Sequence, residues 1–598
     1  MSPIPSTDLL LSLSKPLKSR LGCKTCKSRR VKCGEEKPKC LRCTKTGRTC
    51  EYDNRRGLDR FSSAPGLELS SLFDSPLSSA PNTVWRERRA FAYYFQDAAT
   101  SVGGGLDATF WRTVVPQVCR SEPAVWDAMI CISALFESPD PCPDLVSSRR
   151  LSRALNQNQQ DALEWYARSV SAVRQGIDRG SVDAFVGLIT CVLFICIESV
   201  LGSLNEVIRL YGQGAQLIAL LREQKAYDKL SLLRETIIPI FVRLGIFSPK
   251  SAWPIVQSLL PEVSHNNSKS PDTQEFSSLK SARDAIVVLA TEIAVLENEC
   301  EDYLQKSLAW RISDELIYRQ KNLHVRLATW HSAFTNLMNS LRCTKEGLSS
   351  TQVSVSALLV TYHEMLIVIL SVCVSPLRNT TDAHTQSFQT IIDQASIYLN
   401  TSMRGNGSLP PYTFEISVGL PLWFTCLRCR DPAIRRTALA LLTNSHQIQG
   451  LAKREHGTSL VENVVALEEA HAMSAMDSAL IKSPSNIGSP SYQEMSSPNS
   501  PYKVSQIKFV ASPSPPLTEV DHEIGTQNSL FIPQQARIRP HGVFRPRDGF
   551  PPEATREDIA HWGRDDDQFY MQFSWNECDQ SNGTWNMVFG YIPIDIPV

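Results

Sequence analysis

Six cysteines near the amino terminus have the type and the spacing of a metal cluster. The pattern is CxxC, six residues, C, six residues, CxxC, six residues, C, at Cys23, Cys26, Cys33, Cys40, Cys43 and Cys50. Thiolate sulfur is a good ligand for Zn²⁺, which takes four ligands in a tetrahedron. Two zinc ions need eight coordination positions, and six thiolates fill them only if two sulfurs bridge both ions. The count and the spacing therefore predict a cluster of six cysteines and two zinc ions.

The same stretch carries a large excess of positive charge. Residues 20–52 contain eleven Lys or Arg and three Glu, a net of +8. Two zinc ions and six thiolates together contribute −2, which leaves about +6 on a small module. Residues 1–60 hold sixteen Lys or Arg and six Asp or Glu, whereas the whole chain of 598 residues is neutral. We expect this compact cation to bind the phosphates of nucleic acid.

Other uses of clustered cysteines fit the sequence less well. A disulfide framework needs an oxidising compartment, and the apolar run at residues 9–13 is too short for a secretion signal and is followed by Lys15 and Pro16. An iron–sulfur site would use four cysteines, and RING or LIM sites use eight ligands that usually include His. The first histidine of the chain is His265. Zinc therefore remains the predicted metal.

The cysteine-rich segment resembles the binuclear zinc cluster of the fungal Zn2Cys6 transcription factors. The resemblance covers only about residues 20–52 and rests on the run CKTCKSRRVKC, which begins at Cys23, and on Pro38 with the three later cysteines. It implies that Cys23 and Cys40 are the bridging ligands and that the bond between Lys37 and Pro38 is cis. Gly34 departs from the family pattern, which most often has Asp after the third cysteine, so we expect the turn there to pack differently.

The resemblance also implies sequence-specific binding to double-stranded DNA, regulation of genes transcribed by RNA polymerase II, and a nuclear location. A domain this small buries too little apolar surface to fold alone, so the metals would hold two short helices together. The first helix would enter the major groove and read CGG-type triplets. The expected base readers are Arg29 and Arg30, and the expected phosphate contacts are Lys27, Lys32, Arg42 and Lys45. An alternative function stays open, in which the zinc module belongs to an interaction scaffold or corepressor without specific DNA binding.

The segments on either side of the cluster have no pattern of a folded domain. Residues 1–19 are expected to be a disordered tail. Residues 53–84 are rich in Ser, Pro and Gly and contain no sustained apolar heptads, which predicts a flexible linker rather than a dimerising coiled coil. Monomeric binding to one half-site and homodimerisation through the later helical region therefore both stay open.

The long middle of the chain has the periodicity of helices. Trp85, Arg88, Phe91, Phe95 and Ala98 lie on one helical face, and similar faces recur at 154–177, 207–221, 279–297, 312–339, 355–374, 386–401 and 459–480. We expect an all-α regulatory domain over residues 85–480, interrupted by a loop at 248–278. Its opening, up to Phe110-Trp111 and Ala134-Leu135-Phe136, resembles the middle regulatory region of the same factors. The predicted fold is mainly α: a small two-zinc domain, a large helical domain and disordered linkers.

Membrane and enzyme functions lack support in the sequence. The apolar runs at 184–197 and 358–374 are too short or too interrupted to span a bilayer, so they are predicted to be buried helices. His363-Glu364 lacks the second His of an HExxH motif, and Cys426 with Cys429 has no second CxxC pair nearby. We expect that the protein is not an enzyme. The eleven cysteines outside the cluster are expected to be free, buried thiols in a reducing compartment.

The carboxyl-terminal part has two regions. Residues 481–530 contain repeated Ser-Pro pairs and are expected to be disordered and open to phosphorylation. Residues 531–598 form an aromatic and acidic segment with two possible structures. One is an activation segment that folds on a coactivator or corepressor. The other, which we favour, is a hairpin of 570–575 and 586–592, joined across Asn582-Gly583 and docked on the helices.

Overall fold

A computed structural model describes the cysteine-rich segment in part and most of the helical region. The described residues are 23–29, 31, 33–34, 39–50, 85–138, 155–180, 183–223, 232–246, 253–265, 275–306, 312–344, 347–375, 381–403, 407, 409–450, 452–481, 532–533, 536–551, 554, 556–562, 568–579 and 584–594. The predictions for residues 1–19, 53–84 and 482–530, for the bond between Lys37 and Pro38, and for Arg30 and Lys32 lie outside these residues. The chain divides into two compact units, Met1–Ser79 and Ala80–Val598.

The first unit contains two five-residue helices, α1 (Lys24–Ser28) and α2 (Leu41–Lys45). Each begins just after a cysteine in extended conformation, and that cysteine caps the helix with its own sulfur. Neither helix is long enough to be stable in isolation. The stability of these two helices must therefore come from what the cysteines bind.

The second unit is dominated by α-helices, as predicted. They are α3 (Trp85–Tyr93), α4 (Ala99–Gly103), α5 (Val115–Val118), α6 (Pro123–Glu137), α7 (Gln157–Asp178), α8 (Ala184–Leu201), α9 (Leu204–Glu223), α10 (Ile238–Gly245), α11 (Trp253–His265), α12 (Leu279–Lys306), α13 (Asp314–Arg342), α14 (Ser350–Val372), α15 (Thr385–Ser402), α16 (Gly419–Arg428), α17 (Pro432–Thr443), α18 (Arg454–Ile481) and α19 (Arg556–Trp562). Three π-helical turns adjoin them, at Tyr94–Ala98, Phe110–Val114 and Leu233–Ile237. Each of the seven periodic segments predicted in the middle of the chain corresponds to a helix over most of its described residues.

The two most apolar helices lie in the core. Both Ala184–Leu201 and Ser350–Val372 are long and apolar enough to span a membrane, but 67% and 61% of their apolar windows are buried. The first begins where the Asp183 carboxylate accepts two backbone N–H groups and ends at Gly202, whose φ of 86° suits glycine. The second begins with a capping box of Ser349 and Gln352. The interpretation as buried helices is confirmed.

Two features of the helical region differ from the prediction. The expected loop at 248–278 contains α11, whose second residue is Pro254. Proline is tolerated in the first turn of a helix, where its missing N–H would have no partner anyway. In addition, three two-residue strands form a small sheet, β1 (Tyr412–Thr413) parallel to β2 (Ile448–Gln449) and β2 antiparallel to β3 (Ala452–Lys453). The helical region is thus not entirely α.

The carboxyl-terminal segment forms an antiparallel sheet in the order β4 (Ile538–Phe544), β5 (Phe569–Asp579), β6 (Thr584–Ile594). The register of the β5 and β6 pair runs from Phe569 opposite Ile594 to Asp579 opposite Thr584, so the predicted hairpin is confirmed. Its turn lies outside the described residues. Side chains from one face of this sheet join the core of the helical region, among them Ile538, Met571, Phe573 and Ile594.

Buried charges connect distant parts of the second unit. Asp107 pairs with Arg243 and with Arg283, the latter at 3.2 Å, and Arg283 also pairs with Glu415. The two arginines and Asp107 are at most 2% exposed. Each arginine therefore depends on these carboxylates for its charge balance.

Candidate metal centre

The six cysteines form the small core of the first unit. Cys23, Cys26, Cys33, Cys40 and Cys43 are buried, and Cys50 is half-buried. Among the described residues of this unit, the buried apolar side chains are all cysteines, and Val31 and Cys50 are partly buried against them. Thiol sulfur atoms in mutual contact thus take the place of an apolar core.

The two halves of the unit repeat one arrangement of backbone and sulfur. The N–H of Cys26 donates to the Cys23 sulfur at 3.3 Å, and the N–H of Cys43 donates to the Cys40 sulfur at 3.4 Å. The N–H of Cys23 donates to Cys33 at 3.4 Å, and that of Cys40 donates to Cys50 at 3.3 Å. This repetition follows from the repeated spacing in the sequence. N–H donors stabilise negative charge on sulfur, so the backbone favours thiolates.

The distances between sulfur atoms suit tetrahedral zinc. The Sγ of Cys23 lies 3.8 Å from that of Cys40 and 3.7 Å from that of Cys43. The Sγ of Cys26 lies 3.6 Å from Cys40 and 3.8 Å from Cys43. A Zn–S bond of about 2.3 Å gives a tetrahedron whose edge is about 3.8 Å. These four sulfurs also lie within 4.8 Å of one another, close enough for zinc to bind among them.

The remaining two cysteines interact with different members of this group. Cys33 interacts with the side chains of Cys26 and Cys40. Cys50 interacts with those of Cys23, Cys40 and Cys43. Such contacts suit two tetrahedra that share the edge between Cys23 and Cys40.

The acidity of the thiols is uneven. The backbone N–H of Cys43 lowers the pKa of the Cys40 thiol to about 6. Burial raises the pKa of Cys43 to about 12 and raises the pKa of Cys26 well above its usual value. Thiolates in contact repel one another, so six of them are compatible only with positive charge among them, which two divalent ions supply.

Four of the predicted DNA contacts are described in this unit. Lys27 and Arg29 are exposed at the end of α1, and Arg42 and Lys45 are exposed on α2. Arg30 and Lys32 lie outside the described residues.

One contact between the halves was missed by sequence reasoning. The hydroxyl of Thr25 donates to the carbonyl of Thr49 at 2.7 Å. A threonine between the two cysteines of a CxxC pair is equally compatible with a solvent-facing position, so the sequence contained no specific signal for this bond.

The other candidate groups found in the sequence are buried side chains. His363 lies 3.2 Å from its neighbour Glu364, and Cys426 and Cys429 are buried. Across the residues that the structure describes, the sulfurs at 23, 26, 40 and 43 form the one group of three or more His, Cys, Asp or Glu side chains close enough to share an ion. Of the described cysteines outside the cluster, eight are buried and Cys343 is exposed.

Comparison with known proteins identifies two matching families. Residues 21–58 match the Fungal Zn(2)-Cys(6) binuclear cluster domain, and residues 89–464 match the Fungal specific transcription factor domain. The second description names transcription factors, as expected from the sequence. No solved structure matches the chain.

Curated relatives include several fungal regulators. The aspercryptin biosynthesis cluster-specific transcription regulator of Emericella nidulans is 29% identical over 236 residues, 36% of this chain and 37% of the relative. A Zn(2)-C6 fungal-type transcription factor of Aspergillus fumigatus is 32% identical over 124 residues, 20% of this chain and 33% of the relative. A transcriptional regulatory protein of Schizosaccharomyces pombe is 62% identical over 43 residues, 7% of this chain and 8% of the relative. The matches thus span well under two thirds of each relative.

Proposed function

Because the chain belongs to the fungal specific transcription factor family and carries the binuclear zinc cluster domain, we propose that it regulates transcription in the nucleus by binding double-stranded DNA. The observation that carries the proposal is the first unit itself, a buried group of thiols surrounded by exposed Lys and Arg. Such a module combines a rigid metal core with a surface that phosphate attracts.

The cluster domain binds two zinc ions. We assign one ion to Cys23, Cys26, Cys33 and Cys40, and the other to Cys23, Cys40, Cys43 and Cys50. The interaction of Cys33 with Cys26 and that of Cys50 with Cys43 support this assignment. When bound, the ions supply the positive charge and the crosslinks that hold α1 and α2 together.

The DNA would be read by α1 and by the residues that directly follow it. Arg29 and Arg30 would approach guanine O6 and N7 in the major groove, which is the usual geometry of specific Arg contacts. The expected phosphate contacts are Lys27, Lys32, Arg42 and Lys45. The specificity for CGG-type triplets and the control of RNA polymerase II genes are supported by the resemblance of residues 20–52 to the family.

The second unit would act in regulation. Its division into a helical domain at 85–480 and a carboxyl-terminal segment at 531–598 is part of the proposal, as is contact with coactivators or corepressors. The family match over 89–464 supports this function. The alternative, a scaffold or corepressor without specific DNA binding, predicts the same zinc content but no preference among DNA sequences.

A gel-shift titration at physiological salt tests the proposal. Zinc-loaded full-length protein should bind a CGG-containing duplex more tightly than a scrambled duplex of the same composition, by about 1,000-fold or more for a specific factor. Chelation of zinc should abolish the shift. Equal affinity for the two duplexes would overturn specific recognition and favour the scaffold function.

A further inference from the structure

The two outer strands of the carboxyl-terminal sheet differ in how their edges are protected. Alternate N–H and C=O groups of an outer strand point away from its neighbour, so an unprotected edge is a template for another strand. β4 contains Pro540, its register shifts between Pro540 and Gly542, and Arg539 pairs with Glu301 of α12 at 2.8 Å. Proline, register shifts and charged side chains each hinder the addition of a strand at that edge.

The edge of β6 has little of this protection. Thr584–Ile594 contain no Asp, Glu, Lys or Arg, and the eleven residue pairs of β5 and β6 follow one another without a shift. The one proline of β6, Pro593, lies next to the end of the strand, and Phe589 is 39% exposed. Among the residues that the structure describes, no strand pairs with the outer edge of β6. A regular, uncharged edge of this length is suited to accept a further strand.

One run of the chain has the composition of such a strand. Residues 482–530, which lie outside the described residues, are rich in Ser and Pro. Within them, residues 502–510 have the sequence YKVSQIKFV, with five β-branched aliphatic or aromatic side chains and neither Pro nor Gly. Pro501 directly precedes this run, and Pro513 follows it closely. Strand-forming residues bounded by such a change in composition are typical of a β-strand, and nine residues are enough to cover most of β6.

The charge of this run is complementary to that of the sheet. Residues 502–510 contain Lys503 and Lys508 and no acidic residue, a net of +2. Residues 565–598, which include β5 and β6, contain six Asp or Glu and no Lys or Arg. Opposite charges favour the docked state and steer the run towards these strands. The same negative charge makes nucleic acid a poor occupant of the edge.

The connections at both ends of the run are long enough for it to reach β6. Residues 482–501 join it to the end of α18, and residues 511–531 join it to Ile532. Each connection of about 20 residues can extend to about 70 Å. Ile532 is buried with Ala472 and Ala536 just before β4, and only β5 separates β4 from β6, a distance of about 10 Å. Such tethers give an effective concentration of about millimolar, which favours the chain's own segment over a separate peptide.

From the open edge, the composition of the run, its charge and its tethers, we propose that residues 502–510 dock as a fourth strand on the outer edge of β6. Docking pairs the outward N–H and C=O groups of β6 and closes the edge to other chains. It also places Ser500 and Ser512, each followed by Pro, at the two ends of the docked strand. Phosphate on either serine would add negative charge beside an acidic sheet and would therefore oppose docking.

Hydrogen–deuterium exchange of the zinc-loaded full chain, measured by mass spectrometry, tests the docking. In the wild type, the amides of residues 502–510 should exchange about 100-fold or more slowly than those of residues 484–500, because docked amides exchange only after the strand detaches. Ile507→Pro removes one N–H and fixes φ in the middle of the run, so it should abolish this protection and also speed exchange in β6. The control is Gln493→Pro, the same kind of change outside the run, which should leave both unchanged.

A second variant changes the receiving edge. Phe589 is exposed, so Phe589→Lys should leave the sheet folded, but its charge hinders strand addition and repels Lys503 and Lys508. Residues 502–510 should therefore lose protection while β5 keeps its own. Fast exchange of residues 502–510 in the wild type, or protection that survives both Ile507→Pro and Phe589→Lys, would overturn the proposed docking. Protection of β6 that rises with protein concentration while residues 502–510 exchange fast would assign the edge to a second copy of the chain and would also overturn it.

Discussion

Removal of the proposed bridging cysteine should have a larger effect than removal of a terminal one. The Sγ of Cys40 lies 3.8 Å from that of Cys23 and 3.6 Å from that of Cys26, and it also accepts the N–H of Cys43. In the assignment above, Cys40 provides two of the eight coordination positions and Cys33 provides one. Cys40→Ala therefore leaves three ligands on both ions, whereas Cys33→Ala leaves one ion fully coordinated.

The size of the difference follows from the energetics of structural zinc. Each of four ligands accounts on average for about 100- to 1,000-fold of the affinity of such a site. Cys33→Ala should weaken the binding of one zinc ion by about this factor and leave the binding of the other unchanged. Cys40→Ala should weaken the binding of both zinc ions. It should therefore unfold residues 20–52 and abolish DNA binding, while the second unit stays folded.

Zinc content after dialysis against a weak chelator measures this difference, with a gel shift and circular dichroism on the same samples. We expect two zinc ions per chain in the wild type, about one in Cys33→Ala and none in Cys40→Ala. Cys343→Ala, which alters an exposed cysteine outside the cluster, should retain both. Two zinc ions in Cys40→Ala with normal DNA affinity would refute the binuclear assignment, and equal losses in the two variants would refute the bridging position of Cys40.

Three further predictions concern DNA specificity, oligomeric state and stability. Arg30→Ala should lower affinity for the CGG duplex by about 1–3 kcal/mol with little effect on random DNA, whereas Lys45→Ala should weaken both about equally and reduce the salt slope by about one ion. Titrations at several salt concentrations measure these affinities. If Arg30→Ala loses equal affinity for the CGG duplex and for random DNA, Arg30 contacts a phosphate rather than a base. A fragment of residues 1–84 should sediment as a monomer and bind one triplet with a Kd no tighter than about micromolar, and a dimeric fragment would contradict the linker assignment. Asp107→Asn should destabilise the second unit by about 3–5 kcal/mol, because Arg243 and Arg283 lose a buried countercharge. The exposed pair of Arg209 and Glu206 provides a control, since Glu206→Gln should cost less than about 1 kcal/mol, and equal denaturation midpoints of the two variants would refute the difference. Burial opposes the negative charge of Asp107, but Arg243 and Arg283 hold the pKa of its carboxyl well below the usual value. The stabilisation of the second unit by ionised Asp107 should therefore be present at neutral pH and fade as the pH falls below about 4.

The cluster could be predicted from the sequence because metal ligands are limited in type, number and spacing. The distances between the sulfurs of Cys23, Cys26, Cys40 and Cys43 agree with the tetrahedral geometry that the count required. The bond between Thr25 and Thr49 could not be predicted. It depends on the path of the loop between the halves, and sequence spacing does not define that path.

Helices were predicted well where periodicity extends over several turns. The face at 312–339 corresponds to α13, Asp314–Arg342. The error at α11 arose because Pro254 and the Asn and Ser residues after the helix were interpreted as a loop. The same proline is favourable in the first turn of a helix, so its position relative to the helix start decides its effect, and composition alone does not reveal that position.

The carboxyl-terminal sheet shows how packing decided between two structures that the sequence left open. A Cβ at Gly590 would lie 2.7 Å from the Phe573 ring and 2.9 Å from the Trp575 ring, so these aromatics cover the strand opposite them. Phe573 is 5% exposed, and the sheet is anchored where Glu468 accepts the N–H of Ile538 at 2.8 Å. Phe573, one of the aromatic residues that suggested an activation segment, is thus part of the core in this conformation, and Trp575 packs against that core. A coactivator could reach Phe573 only after the sheet separates from the helices, and that separation would leave the carboxylate of Glu468, which is fully buried, without one of its donors.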